Sequence, residues 1–390
     1  MHLSTRCIHG LGPSPDPTGA ISTPIYQTAT FAHPGVGQST GFDYTRTANP
    51  TRSALERTMA ALESGTHAVA FASGMAAIAT LTELFRPGDH IVVGADVYGG
   101  THRFFSQVSA KNGLDFTRAT TDGEIDAAVK LGGPAGRGTA AVFIETPSNP
   151  TMRVLDIAAA AQSAHAAGAL LIVDNTFLTP YFQRPLELGA DIVVHSATKY
   201  LAGHNDTLAG VVVVADSGLA ERIATLRCTI GGPLAPFDSW LCLRGLKTLA
   251  VRLERQAASA DILAHWLRAH PGVGDVYYPG FEDHPGFAVS TRQASGHGAM
   301  IAFRVEDGAA AHRVLAAIEL IQFAESLGGT ESLLTYPITQ THADVPEPQR
   351  LALGIDEGLL RLSVGLEDPN DLIADLAAAI PSPAGAGAER

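Results

Sequence analysis

Cysteine and lysine are scarce in this sequence, and long apolar runs are absent. Only Cys7, Cys228 and Cys242 occur among 390 residues. An odd number at such uneven spacing fits neither a disulfide framework nor a zinc site, and it points to a reducing, cytoplasmic setting. The fifteen histidines form no His-Glu-x-x-His or other short-range ligand pattern, so no metal is expected. Bases are outnumbered, 26 against 39 acids, for a net charge of −13. That balance argues against a nucleic-acid or anionic-membrane partner and favours small molecules. No apolar run approaches the roughly 18 residues of a membrane span, and the first residues lack a signal-peptide layout. No Gly-Lys dipeptide occurs, which excludes a P-loop. The run Gly35-Val36-Gly37-Gln38-Ser39-Thr40 misses the last position of the dinucleotide fingerprint and follows His33-Pro34, not a strand.

What is present is a globular composition, 46% apolar and 17% charged, in a chain long enough for two cores. Residues 1–55 are rich in Pro, Gly, Ser and Thr and read as an irregular arm. Ile25, Tyr26, Phe31, Phe42 and Tyr44 are costly to leave exposed, so the arm is expected to dock, on a second subunit. Residues 56–248 alternate helical patterns with short apolar strands: His67 to Ser73, Ile91 to Val93, Ala141 to Glu145, Leu170 to Asp174, Ile192 to Ser196 and Val211 to Val214. This alternation predicts an α/β domain on a mostly parallel sheet. Helices are expected over Gly74 to Phe85 and Thr101 to Lys111. Residues 249–380 mix strands and helices as a smaller α+β domain, and 381–390 read as a disordered tail.

Ligands of open α/β sheets bind at the carboxyl ends of the strands. After the first strand, Ser73-Gly74-Met75 opens a helix whose free amides make an anion cradle. Asp174 ends a wholly apolar strand, where burial raises a carboxylate pKa unless a cation attends it. Lys199 follows the strand ending at Ser196 and is flanked by the Ser196 and Thr198 hydroxyls. Only Lys111, Lys130, Lys199 and Lys247 occur, and Lys199 alone lies just past an interior strand. Desolvation there lowers its pKa and suits it to imine chemistry. Each feature alone has a structural explanation: a bare turn, a capping carboxylate, a salt-bridged lysine. Together they match pyridoxal phosphate, with the phosphate on the helix N-terminus, Asp174 at the ring nitrogen, Lys199 at the aldehyde and Tyr98 stacked on the ring.

At these residues the chain resembles the Cys/Met-metabolism family of pyridoxal-phosphate enzymes. The resemblance rests on Val193-Val194-His195-Ser196-Ala197-Thr198-Lys199-Tyr200, Phe42-Asp43-Tyr44-Thr45-Arg46 and Asn49-Pro50-Thr51. It extends to Glu145-Thr146-Pro147-Ser148-Asn149-Pro150, Val173-Asp174-Asn175-Thr176 and Glu325-Ser326-Leu327-Gly328-Gly329. It implies a fold-type I transferase and a homotetramer, a dimer of dimers, acting on amino-acid substrates. Within a dimer, Tyr44 and Arg46 would reach the neighbour's cofactor phosphate, while Ser73, Gly74, Met75, Ser196 and Thr198 hold it at home. Arg361 matches the clamp on the substrate α-carboxylate, assisted by Asn149 and Ser326. Glu325 and Arg103 match positions facing the substrate's distal end, and Tyr98 an acid or base there.

The resemblance places γ-replacement on an activated homoserine ester first, then cystathionine γ-elimination, then β-elimination. Gly100 stands where methionine γ-lyases carry cysteine, which counts against that member. The stretch Thr335 to His342 is most like bacterial γ-synthases. Cys228 replaces an asparagine common near the distal pocket and reads as a small buried filler. His195 and His204 read as hydrogen-bonded positioning residues.

Overall fold

The structure, a computed structural model, describes residues 1–10, 12, 18–134 and 136–381; the tail reading for 382–390 lies outside them. Seven strands build the large sheet: β1 His67–Phe71, β2 His90–Gly94, β3 Asp115–Ala119, β4 Thr139–Glu145, β5 Leu170–Asp174, β6 Ile192–Ser196 and β7 Gly210–Val214. Their order is β1-β7-β6-β5-β4-β2-β3. Every neighbouring pair is parallel except those made by β7, which runs antiparallel to both β1 and β6. The central strands are apolar on both faces because helices cover both. Ile78 and Leu81 pack on Ile172 and Val194 on one side. Ile157 and Ala164 pack on Leu171 and Val193 on the other.

A second sheet comprises β8 Val276–Tyr277, β9 Met300–Arg304, β10 Gln322–Phe323, β11 Leu333–Thr335 and β12 Leu359–Ser363, ordered β10-β11-β12-β9-β8. The helical stretch after residue 236 breaks where the sequence suggests, into Pro236–Leu246 and Leu249–Ala269. Leu253, Leu263 and Leu267 of the second helix join a core that also holds Phe303 and Leu360 of the small sheet.

Several expectations differ from the structure. The arm is not irregular throughout: Leu3–His9 is a helix packed on Pro50–Leu62 and Leu249–Ala269, with Cys7 buried beneath it. Strand β3 has no counterpart in the apolar pattern because it is a half-exposed edge strand carrying Thr117 and Arg118. The helix expected over Thr101 to Lys111 is Gly99–Phe104, continued by a wide π-type turn, Phe105–Ser109, closed by the Ala110 N–H on the Phe105 carbonyl. Tyr98 therefore stands at a helix N-terminus and does not end a strand.

Candidate active site

Parallel strands deliver their last side chains to one edge of the large sheet. Glu145 ends β4, Asp174 ends β5, and the two pair in register, so both carboxylates lie on the same face. Asp174 is buried and accepts from the Thr176 N–H at 3.0 Å and the Thr176 hydroxyl at 2.5 Å. Burial raises its pKa, while those two bonds and the nearby charge of His195 pull it back. Glu145 accepts from the Tyr98 backbone N–H at 2.9 Å. Burial first, and the charge of Asp174 second, push Glu145 well above the ordinary carboxylate range. Burial raises both carboxyls, and the bonds from Thr176 make Asp174 the one whose charge is better supported.

Past Ser196 the chain turns to Lys199, whose Nζ donates to the Ser326 hydroxyl at 2.7 Å. Burial lowers the lysine pKa to about 8; the Arg361 charge adds to this and Glu325 opposes it. Arg361 lies on β12, 1% exposed. Its guanidinium donates to Asn149 Oδ1 at 2.7 Å, the Ser326 carbonyl at 2.7 Å and the Thr335 hydroxyl at 3.0 Å. Ser326 holds φ at 86°, a left-handed turn that sets its hydroxyl toward Lys199 and its carbonyl toward Arg361. Burial lowers Arg361 to about 10, and its Nε is buried without a partner among the described residues. A carboxylate in this space meets a fixed cation.

The cradle forms where β1 gives way to the helix Gly74–Thr82. Ser73 caps it, accepting from the Ala76 N–H at 3.0 Å, which leaves first-turn amides free for an anion. A Cβ on Gly74 would lie 2.9 Å from Ser196 Cβ and 3.0 Å from its Cα. Only glycine lets the helix end approach that closely. The Thr198 hydroxyl is already engaged, donating to the Ala209 carbonyl at 3.2 Å and accepting from its N–H at 3.0 Å. Anion cradle, buried carboxylate and lowered-pKa lysine on one edge fit the phosphate, ring nitrogen and aldehyde of pyridoxal phosphate. Tyr98, 43% exposed, is anchored beside Glu145 through its backbone.

Other expected residues lie apart. Tyr44 is exposed, and Arg46 stacks over its ring at 5.6 Å. Arg46 donates to the Cys228 carbonyl at 3.0 Å and reaches its Sγ at 4.0 Å, at the end of the helix Ser217–Ile230. Cys228 is thus a half-exposed contact for the arm, not a buried filler, because the helix end leaves its thiol facing Arg46 and Thr47. Arg103 is half-exposed and ion-paired with Asp344. Glu325 and Ser326 line a cleft of ≈ 770 Å³ together with Thr198, Asp206 and Asp238.

Three buried acids receive no role from the motifs. Glu145 obeys the same strand-end rule that singles out Asp174. Asp96 holds the Ser148 and Thr151 hydroxyls on either side of Asn149. Glu63 ends the helix Pro50–Leu62 and meets His195. The last two pair across 52 and 132 positions, with no local signal.

Known proteins resemble this chain over nearly its whole length. The family model for Cys/Met metabolism PLP-dependent enzymes matches residues 4–381. The chain is 46% identical over 382 residues to the cystathionine gamma-lyase of Bacillus subtilis, covering 97% of this chain and 99% of that one. It is 48% identical over 367 residues to the cystathionine gamma-synthase of Haemophilus influenzae, covering 93% of each. It is 48% identical over 385 residues to the cystathionine beta-lyase of Coxiella burnetii, covering 97% of this chain and 98% of that one. The crystal structure of cystathionine gamma-lyase from Lactobacillus plantarum complexed with L-serine superposes with a TM-score of 0.93 at 44% identity, covering 98% and 99% of the two chains. With its lysine, acid and cradle on one sheet edge, the chain is a member of the Cys/Met metabolism family of pyridoxal-phosphate-dependent enzymes, the family of the trans-sulfuration enzymes.

Proposed function

We propose that this enzyme catalyses γ-replacement on an O-acylhomoserine, with cysteine or sulfide entering, to give cystathionine or homocysteine. The observation that carries this reading is the cleft lined by Thr198, which precedes Lys199, and by Ser326, which accepts from the Lys199 Nζ. Its ≈ 770 Å³ leaves room for two amino-acid-sized molecules, as replacement by cysteine requires. Glu325, Asp206 and Asp238 give it an acidic wall suited to the ammonium group of a second amino acid. Cystathionine γ-elimination is the second reading, since cystathionine also carries a distal ammonium group that this wall would receive.

When bound, pyridoxal phosphate supplies a sink for negative charge developing at the substrate α-carbon. The helix end at Gly74 and Met75, with Ser73 and Ser196, holds its phosphate, and the Thr198 hydroxyl joins them by turning its hydrogen from the Ala209 carbonyl. Asp174 keeps the ring nitrogen protonated. Arg361 clamps the substrate α-carboxylate, a bidentate task suited to a guanidinium, and Asn149 and Ser326 fix its plane. Lys199, neutral in an appreciable fraction near pH 8, takes the α-proton and then moves a β-proton so that the γ-substituent departs. Tyr98 exchanges a proton with the leaving or entering group. Tyr44 and Arg46, exposed on this chain, serve the neighbouring subunit of a cytoplasmic homotetramer.

The test is a substrate panel with products identified by mass spectrometry. O-acetyl-, O-succinyl- and O-phosphohomoserine are each offered with cysteine or sulfide, and cystathionine is offered alone. Cystathionine or homocysteine from an ester supports replacement. Release of 2-oxobutanoate from cystathionine, with the esters unused, replaces it by γ-elimination; pyruvate and homocysteine would make the enzyme a β-lyase. Lys199→Ala is expected to cost at least about 10³-fold in kcat, and full turnover in that variant removes the scheme.

A further inference from the structure

Behind the sheet, on the face away from the cleft, lies a sealed polar cluster that the reaction itself does not use. Glu63 and His195 are each 0% exposed, as is Asn175, and Gln183 is 1% exposed. One oxygen, Glu63 Oε1, accepts from His195 Nε2 at 2.6 Å and from Asn175 Nδ2 at 2.8 Å. Asn175 Nδ2 also donates to the Gln183 carbonyl at 2.8 Å. The Gln183 amide donates in turn to Asn175 Oδ1 and to the Thr146 carbonyl, both at 3.0 Å.

The residues joined are the immediate neighbours of the site. Asn175 follows Asp174, His195 precedes Ser196, and Thr146 follows Glu145. By strand alternation, His195 points to the face opposite Ser196. The ladder between β5 and β6 has its last pair at Asp174 and Val194. Beyond it, the ends are held by the Asn175 N–H on the Val194 carbonyl, the Ser196 N–H on the Thr176 hydroxyl and the bonds to Glu63. Burying a hydrogen-bonded polar cluster stabilises less than apolar packing of the same volume, so stability alone does not account for a carboxyl group here.

We infer that Glu63 is a positioning residue: its carboxylate sets the spacing between the strand ends that carry Asp174 and Lys199. This rests on the reading of those two residues as the cofactor's partners. A displacement near 1 Å costs a catalytic constellation about 10²-fold. Glu63 exerts this control from behind the sheet, touching neither cofactor nor substrate.

The test compares Glu63→Ala, Glu63→Gln and Asn175→Ala in the full chain. The readouts are the dissociation constant of pyridoxal phosphate, the wavelength of its visible band, kcat and KM measured separately, and the melting temperature without cofactor. Glu63→Ala is expected to raise the dissociation constant about 10-fold or more, shift the band, and lower kcat more than it raises KM. Glu63→Gln keeps an acceptor for both donors and is expected to restore the band and the affinity. Should Glu63→Ala not fold, Asn175→Ala, which cuts the β5 arm of the tie, carries the prediction with the same signs. A lowered melting temperature with unchanged affinity, band and kcat overturns the inference, and so does a Glu63→Gln variant as impaired as Glu63→Ala. Lys199→Ala and Asp174→Asn run alongside. If they keep the wild-type band and affinity, the functional reading fails; if only they lose them, the tie alone fails.

Discussion

Lys199 and Ser326 stand 127 positions apart, and the lysine Nζ donates to the serine hydroxyl at 2.7 Å. The bond fastens the edge of the large sheet to the loop before β11, so the reactive amine is aimed from outside its own strand. Ser326 also offers its carbonyl to Arg361. One residue therefore registers the Lys199 amine against the Arg361 guanidinium.

Lys199 should betray its environment chemically. Burial brings it from 10.5 to about 8, so its neutral, acylatable fraction becomes half-maximal near pH 8. Pulse acetylation of cofactor-free protein, read by peptide mass spectrometry, should give that midpoint for the Lys199 peptide. A midpoint near 10.5 would mean that the amine is not desolvated.

Arg361→Lys keeps the charge and loses the fork that reaches Asn149, Ser326 and Thr335 together. KM for amino-acid substrates is expected to rise by roughly 10- to 100-fold, the equivalent of about 1.5–3 kcal/mol for a charged hydrogen bond. The cofactor's visible band should stay where it is. An unchanged KM would take Arg361 out of substrate binding.

Asp96 offers one carboxylate oxygen to the Ser148 hydroxyl at 2.6 Å and to Thr151, and its other oxygen is buried without a partner among the described residues. Burial lifts its pKa from 3.8 to about 6. Between those values the native state binds more protons than the unfolded chain, so this carboxyl adds stability as pH falls. Asp96→Asn has no such term. Relative to the variant, wild type should gain about 2–3 kcal/mol between pH 7 and pH 4, measured by urea unfolding at each pH. A pH-independent difference would place the Asp96 pKa at its ordinary value.

The three thiols should separate cleanly. Burial pushes Cys7 to about 11 and Cys242 to about 12, whereas Cys228 is half-exposed beside Arg46. Thiolate is the reactive form, so iodoacetamide at neutral pH is expected to modify Cys228 well before the others. Comparable rates at Cys7 would mean that the N-terminal helix is not docked.

How much of this was legible in the chain depends on whether the signal was local. The apolar runs ending in Asp174 and Ser196 announce both strands and site, because burial on two faces forbids polar residues until the strand ends. Arg361 ends nothing: it lies within a buried strand and emerged only from family resemblance. Glu63 and Asp96 escaped because their partners are chosen by packing across distant segments. Strand β3 escaped because an edge strand tolerates polar residues. The helix expected to reach Phe85 stops at Thr82, since Leu84 and Phe85 turn back on Leu81 and Thr82 in a tighter turn. The helix Leu3–His9 was masked by the prolines and glycines after it.

The single reversed strand also dictates an order of assembly. β1 lies at the sheet edge and pairs only with β7, so His67 must wait for Val214, and Phe71 for Gly210. Strands β2 to β6, by contrast, find all their parallel partners within residues 90–196. As the chain leaves the ribosome, the lysine's strand can be seated while β1 still lacks its neighbour. Long-range pairing of this kind is slow, because closing the loop precedes any reward from contacts. Gly210 then arrives between Phe71 and Ser196, and the anion cradle closes as the last joint of the sheet. An intact cradle between Gly74 and Ser196 therefore reports that this sheet is complete.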